Sequence, residues 1–146
     1  MKLKKTGGFT LIEMIVVLSI MAILMSMVMP AIQENYRQFE MDAAIHKLHK
    51  DIRWAQSIAD REQKRVTVGF YVFKQPYQYV IRISGDSTVL RKVELPNHLT
   101  KTSTKTILIN PDRTFRENGH VLLQRGEVSR YVYYYQTGRS RVSAGG

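Results

Sequence analysis

Between Met14 and Met29 the chain carries sixteen residues without a single charged side chain. Counted from Phe9, the apolar segment is 21 residues long. As a helix rising about 1.5 Å per residue it spans about 30 Å, the thickness of a bilayer's hydrocarbon core. Lys2, Lys4 and Lys5 precede it. By the positive-inside rule they stay in the cytoplasm and the rest of the chain lies outside. Glu13 is the anomaly. A carboxylate deep in a bilayer costs about 2.5–3.5 kcal/mol on insertion scales, and such residues usually have a function.

Two ordinary readings meet difficulties. A secretory signal needs small residues before its cleavage point, and Met25-Ser26-Met27-Val28-Met29-Pro30-Ala31 offers no good pair. A plain anchor explains the length but leaves Glu13 and the Gly8-Phe9 junction without a role. A third reading rests on likeness. Lys-Lys-Thr-Gly-Gly-Phe-Thr-Leu-Ile-Glu-Met, residues 4–14, resembles the class III signal of type IV pilins and pseudopilins. That resemblance implies cleavage after Gly8 by a prepilin peptidase and methylation of the new amine on Phe9. It also implies an assembly role for Glu13. A leader would then occupy residues 1–8 and a transmembrane or filament-core half of a helix residues 9–30. An extracytoplasmic domain would occupy residues 31–146. In a filament, the Phe9 amine of one subunit is expected to pair with Glu13 of another, because a buried charge is tolerated only when paired.

Beyond the leader and anchor, enough chain remains for one small domain. There is no cysteine, which excludes a disulfide-closed loop and any thiol-based metal or redox site. The leader holds three of the 22 Lys and Arg, leaving 19 against 12 acidic residues. That excess suits anionic lipid, teichoic-acid-like polymers or nucleic acid, or simply a solvated basic surface.

After Pro30 the pattern becomes amphipathic. Met41, Ile45, Leu48, Ile52, Ala55 and Ala59 fall at alternating spacings of four and three, one face of a helix. Lys47, Lys50, Arg53 and Asp60 occupy the other. One helix is expected from about Phe9 to about Glu62, kinked near Pro30, whose ring removes a helical hydrogen bond. Period-two patterns follow at 66–73 and 77–83, with turn signals at 74–76 and 84–87. Further strands are expected at 89–95, 106–110, 120–124, 130–136 and 141–143. The fold class is therefore α+β, a long N-terminal helix covering a small antiparallel sheet. Pilins and pseudopilins have this architecture.

No catalytic constellation stands out, and neither a catalytic role nor a cofactor is expected. His46 and His49, three apart, lack a further ligand and read as an exposed polar face. His98 and His120 fall in turn-rich stretches. The most aromatic segment is 130–135. Arg130, Tyr131, Tyr134, Arg139 and Arg141 could bind DNA by charge and stacking, although tyrosines at strand period are more often packed.

The globular part also resembles the ComGD-type competence pseudopilins of Gram-positive bacteria, through Asp51-Ile52-Arg53-Trp54-Ala55-Gln56-Ser57-Ile58-Ala59, Tyr77-Gln78-Tyr79-Val80-Ile81, Phe115–His120 and Gly138-Arg139. The likeness implies a minor pilin of a DNA-uptake filament. Its partners would be prepilin peptidase, major and minor competence pilins, a membrane platform protein and, indirectly, an assembly ATPase. Such a chain would sit first in the cell membrane and then in a filament at the cell surface. Alternatives are a minor pseudopilin of a type II-like secretion system, a DNA-binding tip subunit and an anchored protein that never polymerises.

Overall fold

The structure, a computed structural model, describes residues 9–86, 88–102 and 105–145. The expected leader, residues 1–8 with Gly8, lies outside the described residues, as does Ser87 of the expected turn at 84–87. The chain divides into two units, Met1–Arg37 and Gln38–Gly146.

Helix α1 runs from Leu11 to Glu62 and contains Pro30. The helix continues on both sides of the proline, which removes a donor without ending it. Within the first unit the apolar side chains from Phe9 to Ile32 are exposed. By length and composition this stretch can cross a membrane. The helix ends where Gln63 takes a positive φ of 50° and the N–H of Lys64 donates to the carbonyl of Ala59 at 3.2 Å. A left-handed residue just past a helix satisfies its last carbonyls in this way.

The second unit holds the hydrophobic core. All six residues of the expected stripe, Met41, Ile45, Leu48, Ile52, Ala55 and Ala59, are fully buried. The exposed flank carries Lys47, Lys50 and Arg53. Among the described residues eight strands follow: β1 (Val66–Tyr71), β2 (Gln78–Ile83), β3 (Val89–Glu94), β4 (Lys101–Thr102), β5 (Ile107–Ile109), β6 (Gly119–Arg125), β7 (Val128–Tyr134) and β8 (Ser140–Ala144). They form two antiparallel sheets, not the single one expected. The orders are β3-β2-β1-β5 and β4-β6-β7-β8. The chain leaves the first sheet at β3, places β4 in the second, and returns through β5 to pair with β1. Local periodicity carries no record of which distant strand becomes a neighbour. The two-residue β4 is too short to show a period at all.

Both sheets contribute to one core: Val66, Val68, Tyr79 and Ile81 from the first, Val121, Leu123, Val132 and Tyr134 from the second. Phe115 and Tyr134 meet with ring centres 5.2 Å apart, within the range of favourable aromatic pairs. Gly119 faces Tyr134 across β6 and β7. A Cβ at Gly119 would lie 2.3 Å from the Tyr134 hydroxyl oxygen, and Tyr134 is only 1% exposed. The buried ring has to shift within the core to admit it. Gly119→Ala is therefore expected to cost about 1–3 kcal/mol by overpacking. Chemical denaturation checks it: an unchanged midpoint would show that the ring yields.

Candidate functional site

The first candidate site is the start of α1. Thr10 caps the helix: its Oγ1 accepts from the backbone N–H of Glu13 at 3.3 Å, and its carbonyl accepts from Met14 at 3.2 Å. Thr10 and Glu13 have the spacing of a capping box. Glu13 lies in the first turn, where the helix dipole favours a carboxylate by about 0.3–1 kcal/mol. It is exposed, as are Phe9, Leu11 and Ile12. An exposed carboxylate and an exposed apolar collar therefore share one helix end. Its own helix stabilises the charge there, but in an apolar surrounding it would still need a cation.

The second is the polar seam between α1 and the sheets. Asp51 is buried on the helix, its side chain only 6% exposed. Tyr79 on β2 donates its hydroxyl to Oδ2 at 2.6 Å, and Arg91 on β3 donates to Oδ1. The Arg91 guanidinium also lies 4.1 Å from the Trp54 ring centre, a cation–π contact. Burial, then the bond to Asp51, pushes the Tyr79 hydroxyl far above its usual pKa, so it remains a donor. Asp42 accepts from Arg130 on β7, and Asp60 from Arg113 in the turn before β6. Gln56, 7% exposed, donates to the carbonyls of Arg113 at 2.7 Å and Gly138 at 2.9 Å. His49 Nε2 lies 3.0 Å from the Ser140 hydroxyl. Chiefly through burial, its imidazole is held below its ordinary value.

Several expectations need correction here. His49 does not stand on an exposed polar face; it is half-buried against β8, while His46 is exposed. Among the described residues no cluster of His and acidic side chains can hold a metal. The five residues offered for DNA contact do not share a surface. Strand alternation puts Arg130 and Tyr134 on the helix side of β7, Arg130 against Asp42 and Tyr134 in the core. Tyr131 lies on the opposite side, stacked on Tyr133 at 5.6 Å, with Arg141 over the Tyr133 ring at 5.5 Å. Arg139 is exposed in the turn before β8. Sequence reasoning missed Asp51 and Gln56, because an acid and an amide on a helix read as solvated until their distant partners are placed.

Residues 3–29 match the family model of the prokaryotic N-terminal methylation motif. The fold is similar to that of the type IV minor pilin FimU of Pseudomonas aeruginosa strain PAO1. In one crystal form the TM-score is 0.60 at 18% identity, over 75% of this chain and 95% of that one. In a second form it is 0.57 at 17% identity, over 72% and 97%. The competence protein ComGD of Bacillus subtilis strain 168 is 31% identical over 119 residues, which are 82% of this chain and 76% of that protein. The chain belongs to the ComGD family. It is a pilin-like competence protein, and both units carry the signs: the methylation motif covers the apolar end, and the likeness to ComGD reaches well into the sheets. By name the relative is a competence protein and the structural neighbour a type IV minor pilin.

Proposed function

We propose that this chain is a minor pseudopilin of a competence filament that serves DNA uptake. A prepilin peptidase cuts it between Gly8 and Phe9 and methylates the Phe9 amine. Until assembly the helix holds it in the membrane, N-terminus inside and domain outside. An assembly ATPase, acting through a platform protein, then extracts it into a filament with major and minor pilins. Glu13 selects the axial register by meeting the Phe9 amine of a neighbour, and Pro30 supplies a weak point in the helix where it can bend.

The observation that carries this reading is the coincidence of the methylation motif over residues 3–29 with the likeness to a competence protein over most of the chain. The exposed apolar collar around Glu13 supports it, since so much uncovered apolar surface needs lipid or other subunits to cover it. Mass spectrometry of the mature N-terminus from native membranes tests it. The expected product begins at N-methylated Phe9. An intact leader, in cells with active prepilin peptidase, would leave a plain anchor.

A further inference from the structure

The turn leading into β8 is fastened unusually well for a surface loop. Gln56 holds the carbonyls of Arg113 and Gly138 together from the helix. Gly138 has φ +82°, and a Cβ there would lie 3.0 Å from the Arg113 carbonyl oxygen. Within the turn, Gly138 N–H donates to the Tyr135 carbonyl at 2.8 Å and Tyr135 N–H to the Arg139 carbonyl at 2.9 Å. Ser140 is held by His49. A cleft of about 590 Å³ opens above this floor, lined by Arg53, Asp112, Arg113, Thr137, Arg139 and Ser140 among others. It continues into a second, of about 640 Å³, that shares Thr137, Arg139 and Ser140 and reaches Asn118, Tyr135, Gln136 and Arg141.

The charges in this cleft are uneven. Arg113 is engaged by Asp60. Among the described residues Arg53 and Arg139, both exposed, have no ion-pair partner. One carboxylate also faces the cleft: Asp112, whose Oδ1 accepts from the Thr114 hydroxyl at 2.6 Å and its N–H at 3.1 Å. Those bonds hold its carboxyl below the usual value, so it stays ionised. Guanidinium groups suit phosphate. A fixed carboxylate beside them repels a purely anionic ligand but accepts hydroxyl or ammonium protons. Two joined clefts with a shared arginine suit an extended ligand better than a single ion.

The geometry points to a binding cleft for a polyol-phosphate chain, in which Arg53 and Arg139 take successive phosphates and Asp112 takes a hydroxyl or amine between them. Thr137, Ser140, Asn118 and Gln136 add neutral hydrogen-bonding groups for hydroxyls. Among the described residues no aromatic side chain lines the first cleft and Tyr135 alone lines the second, so a run of nucleobases finds no series of stacking platforms there. The preformed floor lowers the ordering cost of binding. The inference rests on the proposed exposure of the domain outside the membrane only for where such a polymer is met. Binding itself is independent of filament assembly, so the two readings fail separately.

The test uses the full chain in neutral detergent micelles and a synthetic glycerol-phosphate oligomer, with binding followed by calorimetry. Arg53→Gln with Arg139→Gln is expected to weaken binding by about tenfold or more. Lys47→Gln with Lys50→Gln removes the same charge outside the cleft and is expected to leave it nearly unchanged. Asp112→Asn makes the chain more positive and is still expected to weaken binding. No binding by the wild type, or equal losses in the two double variants, would overturn the proposal, and so would tighter binding by Asp112→Asn. Stronger arginine-dependent binding of a DNA oligonucleotide with matched phosphate number would assign the cleft to nucleic acid instead. Arginine-dependent preference for phosphatidylglycerol over phosphatidylcholine nanodiscs, beyond what the apolar helix gives in both, would assign it to lipid.

Discussion

Glu13→Ala is expected to remove the chain from filaments while leaving it cut and methylated at Phe9. The substitution does not touch what starts the helix: the N–H of residue 13 still reaches Thr10 Oγ1, and Thr10 still accepts from Met14. The dipole contribution lost, about 0.3–1 kcal/mol, is too small to melt a helix this long. On the proposed pairing, what is lost is the partner of a neighbour's buried amine. An unpaired buried charge costs about 3–5 kcal/mol, which at tenfold per about 1.4 kcal/mol exceeds roughly a hundredfold per addition step. Glu13→Gln preserves the shape and removes the charge, so it should fail as well. Immunoblots of sheared filaments, beside the mass of the membrane-bound form, give both readouts. Normal incorporation of either variant would show that the carboxylate does not choose the register.

Asp51→Ala is expected to be the most damaging change within the second unit. It leaves the Tyr79 hydroxyl without an acceptor in a place where Tyr79 is 0% exposed. It also leaves Arg91 without its carboxylate. Breaking a buried pair costs about 3–5 kcal/mol, and the lower end applies because the Arg91 side chain is 39% exposed. For a domain of this size that lowers the unfolding midpoint by roughly 10 °C or more. Tyr79→Phe removes one bond to Asp51 and is expected to cost less, about 1–2 kcal/mol. Thermal unfolding followed by circular dichroism separates the two. Equal midpoints for wild type and Asp51→Ala would mean that packing alone holds the helix to β2 and β3.

The helix was legible because its two signals are strong and different. Sixteen uncharged residues allow few structures, and the stripe from Met41 to Ala59 emerged buried residue for residue. Strands β1 and β2 were legible from alternation at Val66, Val68, Phe70, Tyr79 and Ile81. The partition into two sheets was not, since it depends on β5 returning to β1 across the intervening β2, β3 and β4. The aromatic segment was recognised, yet its sidedness was misjudged. Grouping Tyr131 with Tyr134 ignored that odd spacing along a strand sends two side chains to opposite faces. Asp51 and Gln56 could not be read from their neighbours. Tyr79 and Arg91 lie 28 and 40 positions from Asp51, and the carbonyls held by Gln56 lie 57 and 82 positions away.

Asp42, Asp51 and Asp60 are spaced nine residues apart, two and a half helical turns, or about 13.5 Å of rise. Successive carboxylates therefore leave the helix on alternate flanks. Arg130 and Arg113 meet the first and third, and Arg91 meets the second from the other side. Under a pull along the helix axis these attachments are sheared together, and a slip in either direction strains all three at once. The helix from Asp42 to Asp60 is thus keyed to its domain like a shaft pinned from both sides, and tension applied at its N-terminal end spreads into two sheets instead of peeling one edge away.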